Sequence, residues 1–220
     1  MITDLQNKVK ELENKIEQKD HQIKELQNDL SVIYELFLPD ILEKSYKKVT
    51  YYIPIKKAWE MIENNKEWIL RDSPNGYIKV KVDSVYKDWS SCYPINLFNG
   101  NIIENTNDYG WASKPSLPAC IQIEFQNPLV VNIISMTSRT SSSDISQSPR
   151  TFNVYGKNKD GEFHIIGSFK DEKWNVTENK LFRLYNSTPF NFYKIEFTET
   201  MGQTDVSFVE LNLGYIKFNQ

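Results

Sequence analysis

The chain has 220 residues, of which 40% are hydrophobic and 25% charged, room for one sizeable domain plus an appendage or for two small domains. Its formal net charge of −3 resides in residues 1–37, which hold 8 acidic side chains and 5 lysines, while residues 38–220 balance 21 basic against 21 acidic groups and contain only four arginines. A neutral body of that kind has no phosphate-binding footprint, which excludes nucleic acid as the expected partner, and no apolar run approaches the ~18 residues that would suggest a membrane span.

The opening "MITDLQNKVKELENK" is charged throughout and lacks the apolar middle of a secretory signal. A cytoplasmic chain is therefore expected, with Cys92 and Cys120 as reduced thiols ahead of a disulfide between them. The glycosylation patterns at Asn175 and Asn186 are read as chance matches on the same ground.

Residues 1–38 read as a coiled coil. With Ile2 at heptad position a, the a series is Ile2, Val9, Ile16, Ile23, Leu30 and Phe37, and the d series is Leu5, Leu12, Lys19, Leu26 and Ile33. The stripe is narrow and keeps a 3.5 period, whereas a helix packed on a body shows a broader face with period 3.6. β-branched residues dominate a and Leu dominates d, the pattern of parallel dimers. Lys8 and Lys15 at g face Glu13 and Asp20 at the following e of a parallel partner. The expectation is a parallel homodimer, with a trimer second, held by Leu5, Val9, Leu12, Ile16, Ile23, Leu26, Leu30 and Ile33.

Residues 39–76 read as a helical connector. Pro39 should end the long helix, and "DILEKSYKK" suits a short one. Ile55, Ala58, Trp59 and Ile62 fall at i, i+3, i+4 and i+7, one helical face docking on the body, and "RDSPNG" closes it as a turn. The tryptophans here are read as core.

From Tyr77 the texture changes. Short alternating runs recur at 77–82, 121–125, 129–136, 151–156, 162–169, 180–185, 192–197 and 206–216. Eight such runs between polar loops predict an all-β jelly-roll sandwich over 77–220. In "IQIEF", Ile121, Ile123 and Phe125 share the inward face. In "SPRTFNVYGKNKDGEFHIIG", Asp160-Gly161 between alternating runs signals a hairpin. Phe152, Val154, Phe163 and Ile165 are expected to fill the core.

Six segments, taken in order, resemble the discoidin family, also called coagulation factor 5/8 type C domains, of the galactose-binding-like fold. They are "YPINLFNG" (93–100), "GWAS" (110–113), "ACIQIEF" (119–125), the hairpin just quoted, "FNFYKIEF" (190–197) and "FVELNLGY" (208–215). The match spans about residues 77–218. The resemblance implies a scaffold role for the hairpin and a buried Trp111. Departures accompany it. The terminal cysteine pair of extracellular members is missing, which fits an intracellular branch. Members that bind structural calcium resemble this chain at Glu210, but Asn99 stands where their Asp precedes Gly. A lost negative ligand weakens any ion site, so the expectation is no cofactor, with calcium at Asn99 and Glu210 as the alternative.

The resemblance also implies ligands at loops on one end of the sandwich: 87–94, 104–113, 138–150 and 199–207. Sugar recognition needs an aromatic face and fixed polar groups. Trp89, Tyr109, Arg139, Asp144 and Arg150 are of suitable types. Catalysis is not expected. His21 and His164 are read as structural, the cysteines lack metal-ligand spacing, and no phosphate-cradling or nucleophile motif occurs. The first reading is a non-enzymatic dimeric scaffold that presents discoidin-like heads to protein partners, in a cytoskeletal or other intracellular assembly. The alternative is a carbohydrate-binding lectin.

Overall fold

The computed structural model describes residues 49–55, 58–63, 66–101 and 109–217, together with Lys8 and Lys19. The chain divides into two units, Met1–Lys47 and Lys48–Gln220. The coiled coil expected over 1–38, its seam and its parallel dimer lie outside the described residues apart from Lys8 and Lys19, as does the short helix proposed at 40–48.

In the second unit the described residues form an all-β sandwich. Its strands are β1 (Val49–Tyr51), β2 (Glu60–Glu63), β3 (Glu67–Ser73), β4 (Gly76–Val82), β5 (Trp111–Ala112), β6 (Ala119–Leu129), β7 (Ile133–Thr137), β8 (Pro149–Lys157), β9 (His164–Phe169), β10 (Asn179–Arg183), β11 (Phe190–Thr200), β12 (Ser207–Phe208) and β13 (Glu210–Ile216). One sheet runs β2-β3-β4-β6-β11-β8-β9, the second β1-β13-β7-β10, and β12-β5 form a short ribbon. All pairings within them are antiparallel.

Period-2 alternation explains the packing. On β6, Ala119, Ile121, Ile123 and Phe125 are buried, while Cys120, Gln122 and Glu124 are half-buried on the other face. β11 repeats the pattern with Tyr193, Ile195 and Phe197 inside. Phe152 lies against Phe169, Phe182 and Phe197, with ring centroids 4.9, 5.0 and 5.8 Å away. Trp111 packs on Phe197 and Phe208 at 6.0 and 5.9 Å, a core residue as expected. Such pairs add about 0.5–1.5 kcal/mol each beyond the area they bury.

Two expectations are corrected. Over the described residues between 49 and 76, the helical connector is instead made of strands: β2 pairs with β3, and β3 pairs with β4. Of the proposed helical face, Ile55 and Ile62 are exposed. Trp68, Ile69 and Leu70, three successive residues, are buried, with Trp68 against Tyr93. A strand can bury side chains on both faces, whereas one helical stripe cannot bury three in a row. The sandwich therefore begins in the first strands after residue 48 and not at residue 77. The second correction concerns the β8-β9 hairpin. Phe152 and Val154 are buried, but Ile165 is 62% exposed and Phe163 is half-buried. The register slips between Val154 and Tyr155, so Gly167 stands opposite Val154 and Ile165 opposite Tyr155. One slipped residue moves a side chain to the other face.

Connectivity defines two ends. β4, β7, β9 and β11 finish, and β6, β8, β10 and β13 start, at the end that carries 83–118, 138–148, 170–178 and 201–209. The opposite end carries the shorter links 74–75, 130–132, 158–163 and 184–189.

Candidate functional site

The loop end is organised by Arg139, two residues past β7 and only 5% exposed. Its Nη1 donates to Ser207 Oγ at 2.7 Å and to Gln147 Oε1 at 3.4 Å, and its Nη2 donates to Asp144 Oδ2 at 3.2 Å. Ser207 Oγ passes a hydrogen bond to the carbonyl of Trp111 at 2.9 Å. Gln147 Nε2 donates to Asp205 Oδ2 at 2.6 Å. The guanidinium thus ties the 138–148 loop to the β12-β5 ribbon. Its carbon Cζ lies 5.5 Å from the ring centroid of the half-buried Tyr109, whose backbone N–H donates to Ser91 O at 2.8 Å. A buried charge is tolerable here because hydrogen-bond acceptors and a carboxylate surround it.

Gly110 makes the close approach possible. It sits at φ +72°, and a Cβ there would fall 2.2 Å from the carbonyl oxygen of Phe208. Only glycine allows the chain to pass between Tyr109 and Trp111 at that point.

Next to this cluster, three short 3₁₀ turns at Tyr86–Asp88, Ser90–Cys92 and Pro94–Phe98 carry the 83–100 segment. Lys87 and Asp88 both adopt positive φ, 48° and 54°. Two adjacent non-glycine residues in that region cost on the order of 1–3 kcal/mol each, a strain that gathers at functional loops. The result is an exposed aromatic shelf. Trp89 is 48% exposed, its ring meets Tyr86 edge-on at 5.5 Å, and Lys87 Nζ lies 4.8 Å above it. The Lys114–Asp88 pair at 3.6 Å braces the turn.

The structure therefore brings Tyr109, Arg139 and Asp144 together and sets Trp89 two residues from Ser91, which anchors Tyr109. Arg150 is not part of the cluster, because it pairs with Asp171 at 2.5 Å on the surface. Gln147, Asp205 and Ser207 complete the network and were not singled out by sequence reasoning; the 199–207 loop offered the only signal for the last two. Among the described residues no three His, Cys, Asp or Glu side chains converge. Asn99 Oδ1 accepts the N–H of Asn101 at 2.7 Å, and Glu210 opens β13 opposite Thr137.

Cys92 and Cys120 are free thiols. Burial pushes the Cys92 thiol above its ordinary range. Burial, then the nearby Asp83 and Glu196 carboxylates, pushes Cys120 up to about 11. Both are therefore protonated at neutral pH and poor nucleophiles.

No protein-family model matches the sequence, and no curated protein matches it. Solved structures do. The F5/8 type C domain of a Bacteroides fragilis protein superposes with a TM-score of 0.54 at 10% identity, covering 74% of this chain and 100% of that one. A Clostridium perfringens CBM32 module in complex with GalNAc-β-1,3-galactose gives 0.51 at 16% identity, covering 62% and 94%. The family 32 carbohydrate-binding module of Streptococcus pneumoniae EndoD gives 0.50 at 15%, covering 76% and 100%. The likeness is one of fold, and that fold is the discoidin-like sandwich.

Proposed function

We propose that the chain is a glycan-binding module that holds a sugar at its loop end without transforming it. The observation that carries this reading is the Trp89 shelf, an exposed ring that follows the two positive-φ residues Lys87 and Asp88, at the same end of the sandwich as the Arg139-pinned Tyr109. A pyranose presents a C–H face that stacks on such a ring and hydroxyls that need positioned polar groups. Asp144, partly exposed and held by Arg139, supplies a carboxylate acceptor at the same end. Two of the fold neighbours, the Clostridium perfringens and Streptococcus pneumoniae modules, are carbohydrate-binding modules, which supports this reading over a protein scaffold. The scaffold reading drew on the heptads of 1–38, which lie outside the described residues.

Preorganisation favours binding, since the internal bonds of the loop end are made before any ligand arrives. Glycan-array screening of the full chain, with galactose- and GalNAc-terminated structures included, tests the proposal. Retention of a defined glycan class, lost in Trp89→Ala, is the expected result. Retention of none, or equal binding by the variant, would refute it. Pairing of modules through 1–38 would raise avidity on a multivalent surface. Sedimentation of the full chain at micromolar concentration should then show a dimer, and a monomer would remove that part of the reading.

A further inference from the structure

The end of the sandwich opposite the loops holds a cavity of about 690 Å³, within the range of small-ligand sites. It opens between the β6-β7 link, the β10-β11 link and the start of the sandwich at Tyr52. Its wall is rich in rings: Tyr52, Tyr185 and Tyr215 contribute phenols, and Pro128 and Pro189 contribute pyrrolidines.

The frame is fixed by hydrogen bonds to backbone. Asn132 Nδ2 donates to Ile216 O, and its Oδ1 accepts Ile216 N–H, both at 2.8 Å. Asn186 holds the 184–189 link: its Nδ2 donates to Val131 O and Thr188 O, and its Oδ1 accepts the Thr188 N–H, all at 3.0 Å. The buried Tyr193 hydroxyl accepts the Val131 N–H at 3.1 Å and donates to Leu129 O. The rim therefore holds its shape before a ligand arrives.

Charge and hydroxyl groups of the wall select the ligand. The described lining contains no carboxylate and no lysine, and its Arg183 is already engaged, with Cζ 5.3 Å from the Tyr185 ring centroid. The wall thus offers no unmatched charge. Among the described residues, nothing hydrogen-bonds the hydroxyls of Tyr185, Ser187 and Tyr215, and each can donate or accept. Tyr52 Oη spends its proton on Val130 O at 2.9 Å, so it can only accept from a ligand. Tyr185 stands at the mouth, 87% exposed.

From this arrangement we propose a second binding site, for a neutral saccharide of one or two pyranose rings, in the Tyr52–Tyr185–Ser187–Tyr215 cavity. A pyranose has apolar C–H faces that lie on phenol and proline rings, and hydroxyls that both donate and accept at its rim. A hydrocarbon chain would use the rings and leave the hydroxyls without partners. A small ion would use the hydroxyls and leave the rings bare. A proline-rich peptide carries no N–H to meet the Tyr52 acceptor. The two sites lie at opposite ends of the sandwich and stand or fall separately.

Amide-resolved NMR titration of the full chain with lactose, cellobiose, acetate and a blocked tetraproline tests the assignment. It is run on the wild type and on Trp89→Ala, a change confined to the loop end. At least one disaccharide should shift the amides of Val130, Val131, Tyr185 and Ser187 saturably in both proteins, and acetate and tetraproline should not. In the Trp89→Ala background, Tyr185→Ala should weaken that binding by about fivefold or more through loss of the platform. Tyr215→Phe should weaken it by roughly twofold to tenfold, the effect of one neutral hydrogen bond. Tyr185 is exposed and Tyr215→Phe keeps its ring, so neither change removes core packing. Unmoved amides at 130–131 and 185–187 with both disaccharides, equal binding of tetraproline or acetate, or undiminished affinity in Tyr185→Ala would each overturn the site. Shifts confined to Tyr109 and its neighbours, and lost in Trp89→Ala, would overturn it while leaving the loop-end site standing.

Discussion

The two ends of the sandwich solve the same problem in opposite ways. Both must hold long or bent connections away from the core. At the loop end, polar side chains bind one another: Arg139, Asp144, Gln147, Asp205 and Ser207 form a network around a nearly buried charge. At the cavity end, polar side chains bind backbone: Asn132, Asn186, Tyr52 and Tyr193 each take peptide groups as partners. A side-chain network fails together when one member is lost, whereas separate clamps on backbone fail one at a time. The first end then offers an aromatic shelf on a braced turn, and the second an open cavity lined by tyrosine and proline rings.

That contrast can be broken experimentally. The largest effect should follow Arg139→Met, which leaves Asp144, Gln147 and Ser207 without their shared donor. We expect a loss of about 3 kcal/mol in chemical denaturation, below the figure for a fully buried pair because Asp144 is partly exposed. Amide protection should fall at Tyr109 and around 138–148 and remain unchanged at 130–132. Equal loosening of both ends would refute the separation.

A smaller effect is expected from Tyr193→Phe at the other end, about 1–2 kcal/mol, because the Val131 N–H loses a buried acceptor. The same residue sharpens the comparison through pH. Burial raises the Tyr193 phenol to about 12, above the ordinary value near 10. The unfolded chain therefore ionises first. The stabilising contribution is whole below pH about 10 and is lost as pH climbs toward about 12. Denaturation curves of the wild type should weaken over that window, and those of Tyr193→Phe should weaken less. Parallel curves would argue against a buried neutral phenol.

Trp89→Ala should change stability least, within about 0.5 kcal/mol, since the ring is half in solvent. A fall of several kcal/mol would make the shelf a structural prop and would weaken the case for a ligand there.

Much of the body was legible before the structure. Alternation in 121–125, 151–156 and 192–197 gave strands, with the right inward faces in the first two, because a strand at the centre of a sheet buries one set of alternate side chains whatever its partner. Trp111 as core and the loop end as the polar end were also legible. The connector was not. Ile55, Ala58, Trp59 and Ile62 have helical spacing, but a waiting edge on β4 offered β3 a full ladder of backbone hydrogen bonds and a place to bury Trp68, Ile69 and Leu70 together. Local spacing carries no information about an unpaired sheet edge.

What the sequence by itself determined is the set of short-range preferences: period-2 runs, turn residues and a glycine between Tyr109 and Trp111. What only the tertiary structure decided is which distant residues meet. Arg139 and Ser207 are 68 positions apart and Tyr52 and Val130 are 78 apart, so the loop network and the cavity came into being only when two sheets closed on each other. The physical reason is that faces are fixed by local backbone geometry, whereas sites at the ends are fixed by strand order and register, which a bulge such as that at Val154 can shift by one residue.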